Sequence, residues 1–400
     1  MLPLPQVTLK KNRESPIKAG HPWVFSQAIE RADEVVQGGL IDVLSHDGKF
    51  LGVGTWNGKN TIRIRIISHD PGVAIDTDFF VAKFKVLDNS KKPHLPKETT
   101  GYRVVQADAD GLPGLILDRY GDVFVFQVHT IGMEKLKDIV VEAIQKAFKP
   151  SAIVERSDVD ARKQEGLMDR PIKVHHGKID KPVEFLEFGH KFYADTLEGQ
   201  KTGFFLDQRN ARIKVGQMAK GRNVLNLFGY SGAFSVYAAK AGAAKVATVD
   251  VSAAALTLAE KNFELNGLEL DKNKYEFVEA DVFDVLNDRK YTDGFDFVIC
   301  DPPAFAKSAD KLPEAMRAYI DLNRRCFEML KEGGILVSSS CSGRVTPSDF
   351  RDVLRIAAGQ ARRDVRILEF MGQPIDHTEK LAFPEGRYLK TVFLEVTKVM

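Results

Sequence analysis

The first 75 residues alternate between apolar and polar positions in short runs that are typical of β-strands. Residues 39–44 and 50–56 form two such runs, and turn residues separate them from a third run at 61–67. In the third run the alternation is strict: one face carries Ile62, Ile64 and Ile66, and the other carries Arg63 and Arg65. The pattern predicts a small β domain with half-buried strands over residues 1–75.

The next stretch, residues 76–195, mixes helical and strand-like patterns without a clear repeat. A helical pattern near 76–87 leads into a polar segment with lysine and proline, residues 88–100, where we expect a linker or a long loop. An amphipathic helix is expected at 133–148. Strands are predicted at 115–117, 123–128 and 152–155. We therefore predict a central α+β domain.

From residue 196 to residue 400, apolar strand patterns alternate strictly with helical ones. Strands are predicted at 223–228, 245–250, 275–278, 295–300 and 334–340. Helical stretches between them include 232–241, 252–265 and 314–330. Apolar strands separated by helices indicate a parallel sheet that is covered on both faces. We predict an α/β, Rossmann-like domain with a doubly wound, mostly parallel sheet, which binds ligands at the carboxyl ends of its strands.

Composition narrows the class of protein. Hydrophobic residues make up 44% of the chain and charged residues 28%, which is near the average for globular proteins. No apolar run approaches the roughly 18 residues that a membrane helix needs, and the first residues have too short an apolar run for a signal peptide. Three cysteines are too few for a disulfide framework. We expect a cytoplasmic protein with free thiols and no membrane partner.

The formal net charge of +2 gives no global electrostatic signature. If the chain binds nucleic acid, its basic charge must therefore be concentrated locally. Among the first 20 residues, four basic side chains stand against a single acid, Glu14. We predict a basic edge that is formed by Lys10, Lys11, Arg63 and Arg65.

Three successive strand ends carry candidate ligand-binding groups. The first predicted strand breaks into Gly229-Tyr-Ser-Gly232, a turn that lets a ligand approach the backbone and the following helix. The next strand ends at Asp250, about 20 residues later, where a carboxylate can accept from both hydroxyls of a ribose. The third ends at Asp281, where a side chain can meet an adenine amino group. The structural alternatives are a simple tight turn and two helix caps, although Ser252 could take the capping role from Asp250.

The fourth predicted strand ends in Asp301-Pro-Pro-Ala-Phe305. Two consecutive prolines cannot continue a central strand or enter a helix comfortably. They therefore form a rigid exit that presents Asp301 and the prolyl carbonyls to a planar ligand. The alternative is a purely structural role for the two prolines.

The order of a glycine turn, two acidic strand ends and Asp-Pro-Pro resembles the class I S-adenosylmethionine-dependent methyltransferases. Their cofactor has no phosphates, which suits a turn with few glycines. The resemblance implies that S-adenosylmethionine is the cofactor. It also implies a cofactor site that is lined by Phe204, Phe228, Gly229, Tyr230, Ser231, Gly232, Asp250, Val251, Asp281, Asp301 and Pro302.

A cysteine, Cys341, follows the fifth predicted strand. In a doubly wound methyltransferase the fourth and fifth strands are neighbours, roughly 4.8 Å apart, so we expect Cys341 beside Asp301. A thiolate there could add to carbon 6 of a cytosine and make carbon 5 nucleophilic toward a sulfonium methyl group, while Asp301 holds the ring nitrogen edge. The alternative is a small buried apolar residue, which is what we expect of Cys300 and Cys326.

Motifs along the whole chain resemble one family, the bacterial large-subunit ribosomal RNA cytosine-5 methyltransferases of the RlmI type. The N-terminal Gly20-His-Pro-Trp-Val-Phe25, with its β texture, resembles the RNA-binding PUA module. The other motifs lie at 110–121, 155–162, 200–209 and 340–342. The resemblance implies methylation of a cytosine in 23S ribosomal RNA, which would be the main partner. A second copy of the chain, in a homodimer, is a further candidate partner.

Within this family pattern, the motif at 200–209 has a proposed part in cofactor binding. The resemblance implies a lid formed by Lys201, Thr202 and Phe204, with Asp207 and Arg209 orienting the cofactor. The alternative is a helix start with a solvated charged face. Ala304 departs from a different cytosine-5 RNA subgroup, which has a second cysteine at that position, so product release here cannot use a second thiol.

Three other functions remain open. Asp-Pro-Pro near a phenylalanine also suits methyl transfer to an exocyclic amine of guanine or adenine, which needs no cysteine. A dehydrogenase is disfavoured because the glycine turn is not G-x-G-x-x-G. The third is a non-catalytic, ribosome-associated RNA-binding protein with an inert methyltransferase domain.

Overall fold

The computed structural model describes residues 3–168, 170–292, 294–306 and 310–400. Within these ranges the chain divides into two compact units. The first unit comprises Met1–Phe185, Ala194–Leu206 and Ile375–Gly386. The second comprises Leu186–Tyr193, Asp207–Pro374 and Arg387–Met400. The domain boundaries at residues 75 and 195 stay a prediction.

A six-stranded sheet forms the N-terminal part of the first unit. Its strands and one short helix are β1 (Gln6–Leu9), α1 (Ser15–Lys18), β2 (Trp23–Phe25), β3 (Ile29–Ala32), β4 (Leu40–Leu44), β5 (Phe50–Trp56) and β6 (Ile62–Ser68). The strand order is β2-β6-β5-β4-β1-β3, and only β1 and β4 pair in parallel. Ile64 and Ile66 of β6 are buried while Arg63 and Arg65 are half-buried, which confirms the predicted alternation over residues 63–66; Ile62 is only half-buried, and Ile67 is buried as well.

The rest of the first unit is a five-stranded sheet with helices. Its elements are α2 (Thr77–Lys91), β7 (Gly101–Gln106), β8 (Leu115–Tyr120), β9 (Val123–Val128), α3 (Ile131–Phe148), β10 (Ala152–Glu155), α4 (Ala161–Gln164) and β11 (Lys173–His176). The strand order is β11-β10-β9-β8-β7. Phe80 of α2, Val140 of α3 and Phe126 of β9 belong to one apolar core, as expected of the predicted α+β domain. A separate two-stranded sheet pairs β12 (Val183–Glu187) with β13 (His190–Ala194), and its residues Leu186–Tyr193 belong to the second unit.

The segment 88–100 differs from the predicted linker, because α2 continues to Lys91. Asp88 accepts a hydrogen bond from the hydroxyl of Tyr102 at 2.5 Å. The ammonium group of Lys91 donates to the carboxylate of Asp110 at 2.6 Å. Polar side chains that find buried partners can occupy a core, so the polar composition of this segment was misleading. The prediction of a loop is wrong for the first turn of the segment.

The second unit is built on a seven-stranded sheet. Its elements are α5 (Arg209–Met218), β14 (Asn223–Leu227), α6 (Ala233–Lys240), β15 (Lys245–Asp250), α7 (Ala253–Leu265), β16 (Tyr275–Glu279), α8 (Val282–Asn287), α9 (Arg289–Thr292), β17 (Phe297–Cys300), α10 (Leu312–Met329), β18 (Ile335–Ser340), α11 (Pro347–Gln360), β19 (Arg363–Met371) and β20 (Lys390–Val399).

The order of this sheet is β16-β15-β14-β17-β18-β20-β19. The first five strands are parallel, while β20 is antiparallel to both β18 and β19. Every residue of β17 and β18 is buried, and Phe327 of α10 and Phe350 of α11 belong to the same core. The predicted doubly wound, mostly parallel sheet is confirmed, and the carboxyl ends of its five parallel strands share one edge. In the part of the chain described here, no helix is long and apolar enough to cross a membrane.

Candidate functional site

The turn between β14 and α6 has an unusual backbone. Phe228, Tyr230 and Gly232 all have positive φ angles, of 58°, 45° and 71°. A Cβ added to Gly229 would lie 2.5 Å from Cγ2 of Thr248 on β15. One added to Gly232 would lie 2.7 Å from Cβ of Ala259 on α7. The two glycines are therefore required by packing within the protein, and the turn brings its backbone to the carboxyl edge of the sheet.

Asp250, at the end of β15, holds this turn in place. Its Oδ2 accepts from the backbone N–H of Tyr230 at 2.8 Å, and its Oδ1 accepts from that of Ser252 at 2.9 Å. Ser252, rather than Asp250, caps α7, because its hydroxyl accepts from the N–H of Ala255. An ionised carboxylate has about four acceptor positions, so Asp250 retains capacity for further donors. The next side chain, Val251, is 67% exposed.

Asp281 has the structural role that the sequence left open. It is exposed, and its Oδ1 accepts from the backbone N–H of Phe283 at 2.7 Å, which caps α8. The contact explains why an acid occupies this position without reference to a ligand. A contact of Asp281 with the cofactor stays a prediction.

Asp301 and Cys341 follow two adjacent strands. β17 and β18 pair in parallel, with Cys300 opposite Ser338, so the segments that follow them leave the same edge of the sheet. The thiol of Cys341 lies 4.0 Å from the carbonyl oxygen of Pro302 and is half-buried. Asp301 is also half-buried, and its Oδ1 accepts from Nε2 of Gln208 at 2.8 Å. A thiol, a carboxylate and the glycine turn therefore share one edge of the second unit.

Comparison with known proteins identifies this arrangement. A family model described as an S-adenosylmethionine-dependent methyltransferase matches residues 169–375, and one described as a PUA-like domain matches residues 7–69. A protein of Shewanella denitrificans named Ribosomal RNA large subunit methyltransferase I is 42% identical over 98% of this chain and 99% of its own length. The chain belongs to this methyltransferase family. A relative of the same name from Aeromonas salmonicida is 40% identical over 96% of this chain and 97% of its own.

Solved structures of methyltransferases have the same fold over the whole chain. An S-adenosylmethionine-dependent methyltransferase from Streptococcus mutans superposes with a TM-score of 0.82, at 25% identity, over 98% of this chain and 100% of its own. A methyltransferase in complex with S-adenosylhomocysteine superposes with a TM-score of 0.83, at 26% identity, over 99% of this chain and 100% of its own. The predicted N-terminal PUA-like domain and C-terminal class I methyltransferase fold are confirmed.

S-adenosylmethionine is the cofactor of this methyltransferase, and the strand-end residues fit it. The hydroxyl of Ser231 is buried and has no hydrogen-bond partner among the described residues. Buried polar groups in native proteins are nearly always paired, so a ligand is a reasonable partner for this one. Asp250 would accept from the ribose, and the exposed side chain of Val251 offers apolar surface beside it. The individual cofactor contacts stay predictions.

Phe204, by contrast, belongs to the first unit. It is buried there and packs edge-on against Phe185, with the ring centroids 4.9 Å apart. The hydroxyl of the neighbouring Thr202 donates to Oδ2 of Asp118 at 2.7 Å. These contacts are sufficient to explain why Phe204 and Thr202 occupy buried positions in the first unit. The lid formed by Lys201, Thr202 and Phe204 stays a prediction.

Asp207 and Arg209, the other members of that motif, belong to the second unit. Asp207 accepts from the hydroxyl of Tyr388 at 2.8 Å. Arg209 is buried, with its Nε 3.5 Å from the carboxylate of Glu187. Both side chains therefore have structural partners, and their orientation of the cofactor stays a prediction.

The four predicted RNA-binding residues differ in how available their charges are. Lys10 and Lys11 are exposed. Arg63 lies over the ring of Trp56 at 5.7 Å and donates to backbone carbonyls of the loop before β6. Arg65 is 12% exposed and forms a salt bridge with Glu165 at 2.7 Å. The exposed part of the predicted basic edge thus consists mainly of the two lysines, and RNA binding by all four stays a prediction.

Two residues near Cys341 have contacts that were not predicted from the sequence. One is Gln208, whose side-chain amide donates to Asp301 and accepts from Thr391. The other is Lys390, the first residue of β20, whose ammonium group donates to the carbonyl of Ser342. A lysine at the start of an apolar run, Leu389 to Leu394, was the available signal for the second. Gln208 lies inside the motif at 200–209, but no contact with Asp301 was predicted for it.

The other two cysteines lie in the core, as expected. Cys300 on β17 and Cys326 on α10 are both fully buried. The pKa of the Cys300 thiol is raised well above its ordinary value, mainly by a hydrogen bond with Cys326 and also by burial. A thiol with a raised pKa is a poor nucleophile. Of the three cysteines, Cys341 is the one that is only half-buried, and its role as a nucleophile stays a prediction.

Proposed function

We propose that this protein transfers a methyl group from S-adenosylmethionine to carbon 5 of a cytosine in large-subunit (23S) ribosomal RNA. The printed names of its relatives support the class of RNA. The observation that carries the choice of base is the half-buried thiol of Cys341, 4.0 Å from the carbonyl oxygen of Pro302 in the Asp-Pro-Pro segment. Methyl transfer to an exocyclic amine would not need a thiol at this place.

In the proposed mechanism the thiolate of Cys341 adds to carbon 6 of the cytosine. The new bond moves an electron pair onto carbon 5, which becomes nucleophilic. When bound, S-adenosylmethionine supplies an electrophilic methyl group. The carboxyl group of Asp301 holds the ring nitrogen edge of the base and stabilises its protonated form. A base then removes the proton from carbon 5, the bond between carbon 6 and sulfur breaks, and the Cys341 thiolate is restored.

The setting follows from the proposed substrate. Ribosomal RNA in bacteria is made and modified in the cytoplasm, so we place the protein there. The target base must leave its stack to reach a strand-end site, as in other enzymes that act on bases. A second copy of the chain as a partner stays a prediction.

The direct test is incubation of 23S ribosomal RNA with labelled S-adenosylmethionine, followed by nucleoside analysis. We expect 5-methylcytosine from the natural protein and no product from Cys341→Ala. The matched control is Cys326→Ala, which removes a core thiol and should retain the same product. Binding of S-adenosylhomocysteine by each variant shows that it is folded. Undiminished turnover by Cys341→Ala, or a methylated guanine or adenine as product, would contradict the proposal in favour of the exocyclic amine.

A further inference from the structure

A buried lysine lies beside the candidate nucleophile. Lys390 is 1% exposed and pairs with Ser340 across the antiparallel ladder between β18 and β20. Cys341 is the residue that follows Ser340, so the ladder fixes the lysine backbone next to the end of β18. A charged lysine is rarely buried unless it is paired, and this position therefore requires an explanation.

The ammonium group is held at the turn that carries the cysteine. Nζ of Lys390 donates to the carbonyl oxygen of Ser342 at 2.5 Å and to that of Tyr388 at 2.7 Å. In the described residues, no carboxylate forms a salt bridge with it. Two backbone carbonyls thus use two of its three N–H donors and fix the position of the cation, but they leave its charge uncompensated.

Two negative groups act on the charge of this lysine. Burial lowers the pKa of Lys390 to about 8, while the charges of Cys341 and Asp349 act in the opposite direction and raise it. Asp349 lies in the first turn of α11. Because electrostatic coupling is mutual, a thiolate that favours the charged lysine is favoured by that lysine in turn.

Two other groups face the same turn. Burial raises the pKa of Tyr319 on α10, so its hydroxyl, hydrogen-bonded to the hydroxyl of Ser340 at 3.1 Å, is neutral. Asp301 follows the adjacent strand β17 and adds negative charge. Negative charge on Asp301 and Asp349 would oppose ionisation of a nearby thiol, whereas the ammonium group of Lys390 favours it.

We propose that Lys390 is a positioning residue whose ammonium group stabilises the thiolate of Cys341 and prepares it for addition to the base. The role of this thiolate in catalysis rests on the proposed function. The stabilised thiolate itself is a property of the free protein, which can be measured without RNA or cofactor.

The test is the pH dependence of Cys341 alkylation by iodoacetamide, followed by mass spectrometry of the cysteine peptides. In the natural protein we expect the thiol to titrate below its ordinary pKa of about 8.5. In Lys390→Met the midpoint should rise, and alkylation at pH 7 should become about threefold to tenfold slower. Lys390→Arg should keep the natural midpoint, because the cation remains. Lys398→Met, an exposed lysine on the same strand, is the matched control.

Cys300 and Cys326 report on folding in the same experiment, since they are alkylated only if the core opens. An unchanged midpoint in folded Lys390→Met would overturn the proposal. If Lys390→Met unfolds, the midpoints of the natural protein and of Lys390→Arg test the proposal instead. A natural midpoint of about 8.5 or above would then overturn it, and a lower one that Lys390→Arg preserves would support it. Methyl transfer by Cys341→Ala would end the covalent mechanism but leave the coupling between lysine and thiol intact.

Discussion

Gly232 and Gly267 have the same left-handed backbone conformation but differ in how much space a side chain would have. Their φ angles are 71° and 69°, in the left-handed region that side chains with a Cβ rarely adopt. Nothing lies within 4 Å of a Cβ built on Gly267, whereas one built on Gly232 would lie 2.7 Å from Cβ of Ala259. Gly267 is needed only for the end of α7, while Gly232 also lets α6 and α7 approach each other.

We therefore predict that Gly232→Ala lowers the free energy of unfolding more than Gly267→Ala does. The cost of the left-handed conformation, about 1 kcal/mol, applies to both. Overpacking against Ala259 should add about 1–3 kcal/mol for Gly232 alone. Urea unfolding followed by circular dichroism measures both changes. Equal losses in the two variants would show that the close approach of α7 does not restrict this turn.

The same residue also tests the cofactor turn. Because Gly232 follows Ser231, a shift of α6 away from α7 should move the buried hydroxyl of Ser231. We expect Gly232→Ala to weaken binding of S-adenosylhomocysteine and Gly267→Ala to leave it unchanged, as measured by calorimetry. Gly232→Ala with natural affinity would indicate that the turn is not part of the cofactor site.

At the scale of elements, the sequence pattern predicted those parts of the fold whose signal is local. The five parallel strands of the second unit are apolar runs between helices, and each was predicted within a few residues. β19 and β20 were not predicted. β19 has several exposed positions, and both strands lie beyond the last strand of the predicted α/β alternation. Lys390 was missed with them, because its proximity to Cys341 comes from antiparallel pairing between residues about 50 positions apart. The last turn of α2 was missed because its polar side chains have buried partners.

A buried carboxylate joins three elements of the first unit. Glu155, at the end of β10, is 2% exposed. One of its oxygens lies 2.8 Å from Nε2 of His175 on β11, and the other lies 3.4 Å from Nζ of Lys137 on α3. Burial disfavours the carboxylate, but hydrogen bonds with His175 and Ser157 and the charge of Lys137 outweigh it and lower the pKa of Glu155 to about 2.

A lowered pKa gives this contact a pH dependence of known sign. Glu155 titrates near 4.3 in the unfolded chain, so its stabilising contribution is complete above that pH and declines as the pH falls toward 2. We predict that Glu155→Gln lowers the free energy of unfolding at pH 7 by about 1–2 kcal/mol, a value reduced for residual solvation. Below pH 4.5 the difference from the natural protein should shrink.

Urea midpoints at pH 7, 5, 4 and 3 measure this difference. Glu142→Gln, at an exposed position of α3, is the control and should change the free energy of unfolding little at any of these pH values. A difference between Glu155→Gln and the natural protein that stays constant from pH 7 to pH 3 would mean that the pKa of Glu155 is the same in the folded and unfolded states, which would contradict the prediction.

For the molecule as a whole, the net charge of +2 limits how RNA can be bound. Each phosphate neutralised by a lysine or arginine releases counterions, so the affinity falls with salt with a slope of about 0.7–0.9 per contact. The structure reduces the expected number of contacts further, because Arg65 is already paired with Glu165. RNA binding should therefore depend only modestly on salt, and most specificity should come from RNA shape and from the base that enters the site.

The exposed lysines should account for a measurable part of that dependence. We predict that Lys10→Gln combined with Lys11→Gln lowers the slope of log affinity against log salt by about 1–2 for 23S ribosomal RNA fragments. The matched control is Arg65→Gln combined with Glu165→Gln, which removes a charge pair, preserves the net charge and should leave the slope unchanged. Fluorescence anisotropy at salt concentrations from about 50 to about 300 mM measures the slope for both double variants. If the lysine variant keeps the natural slope while the Arg65 variant loses it, then RNA is bound through Arg65 and the salt bridge with Glu165 must open when RNA binds.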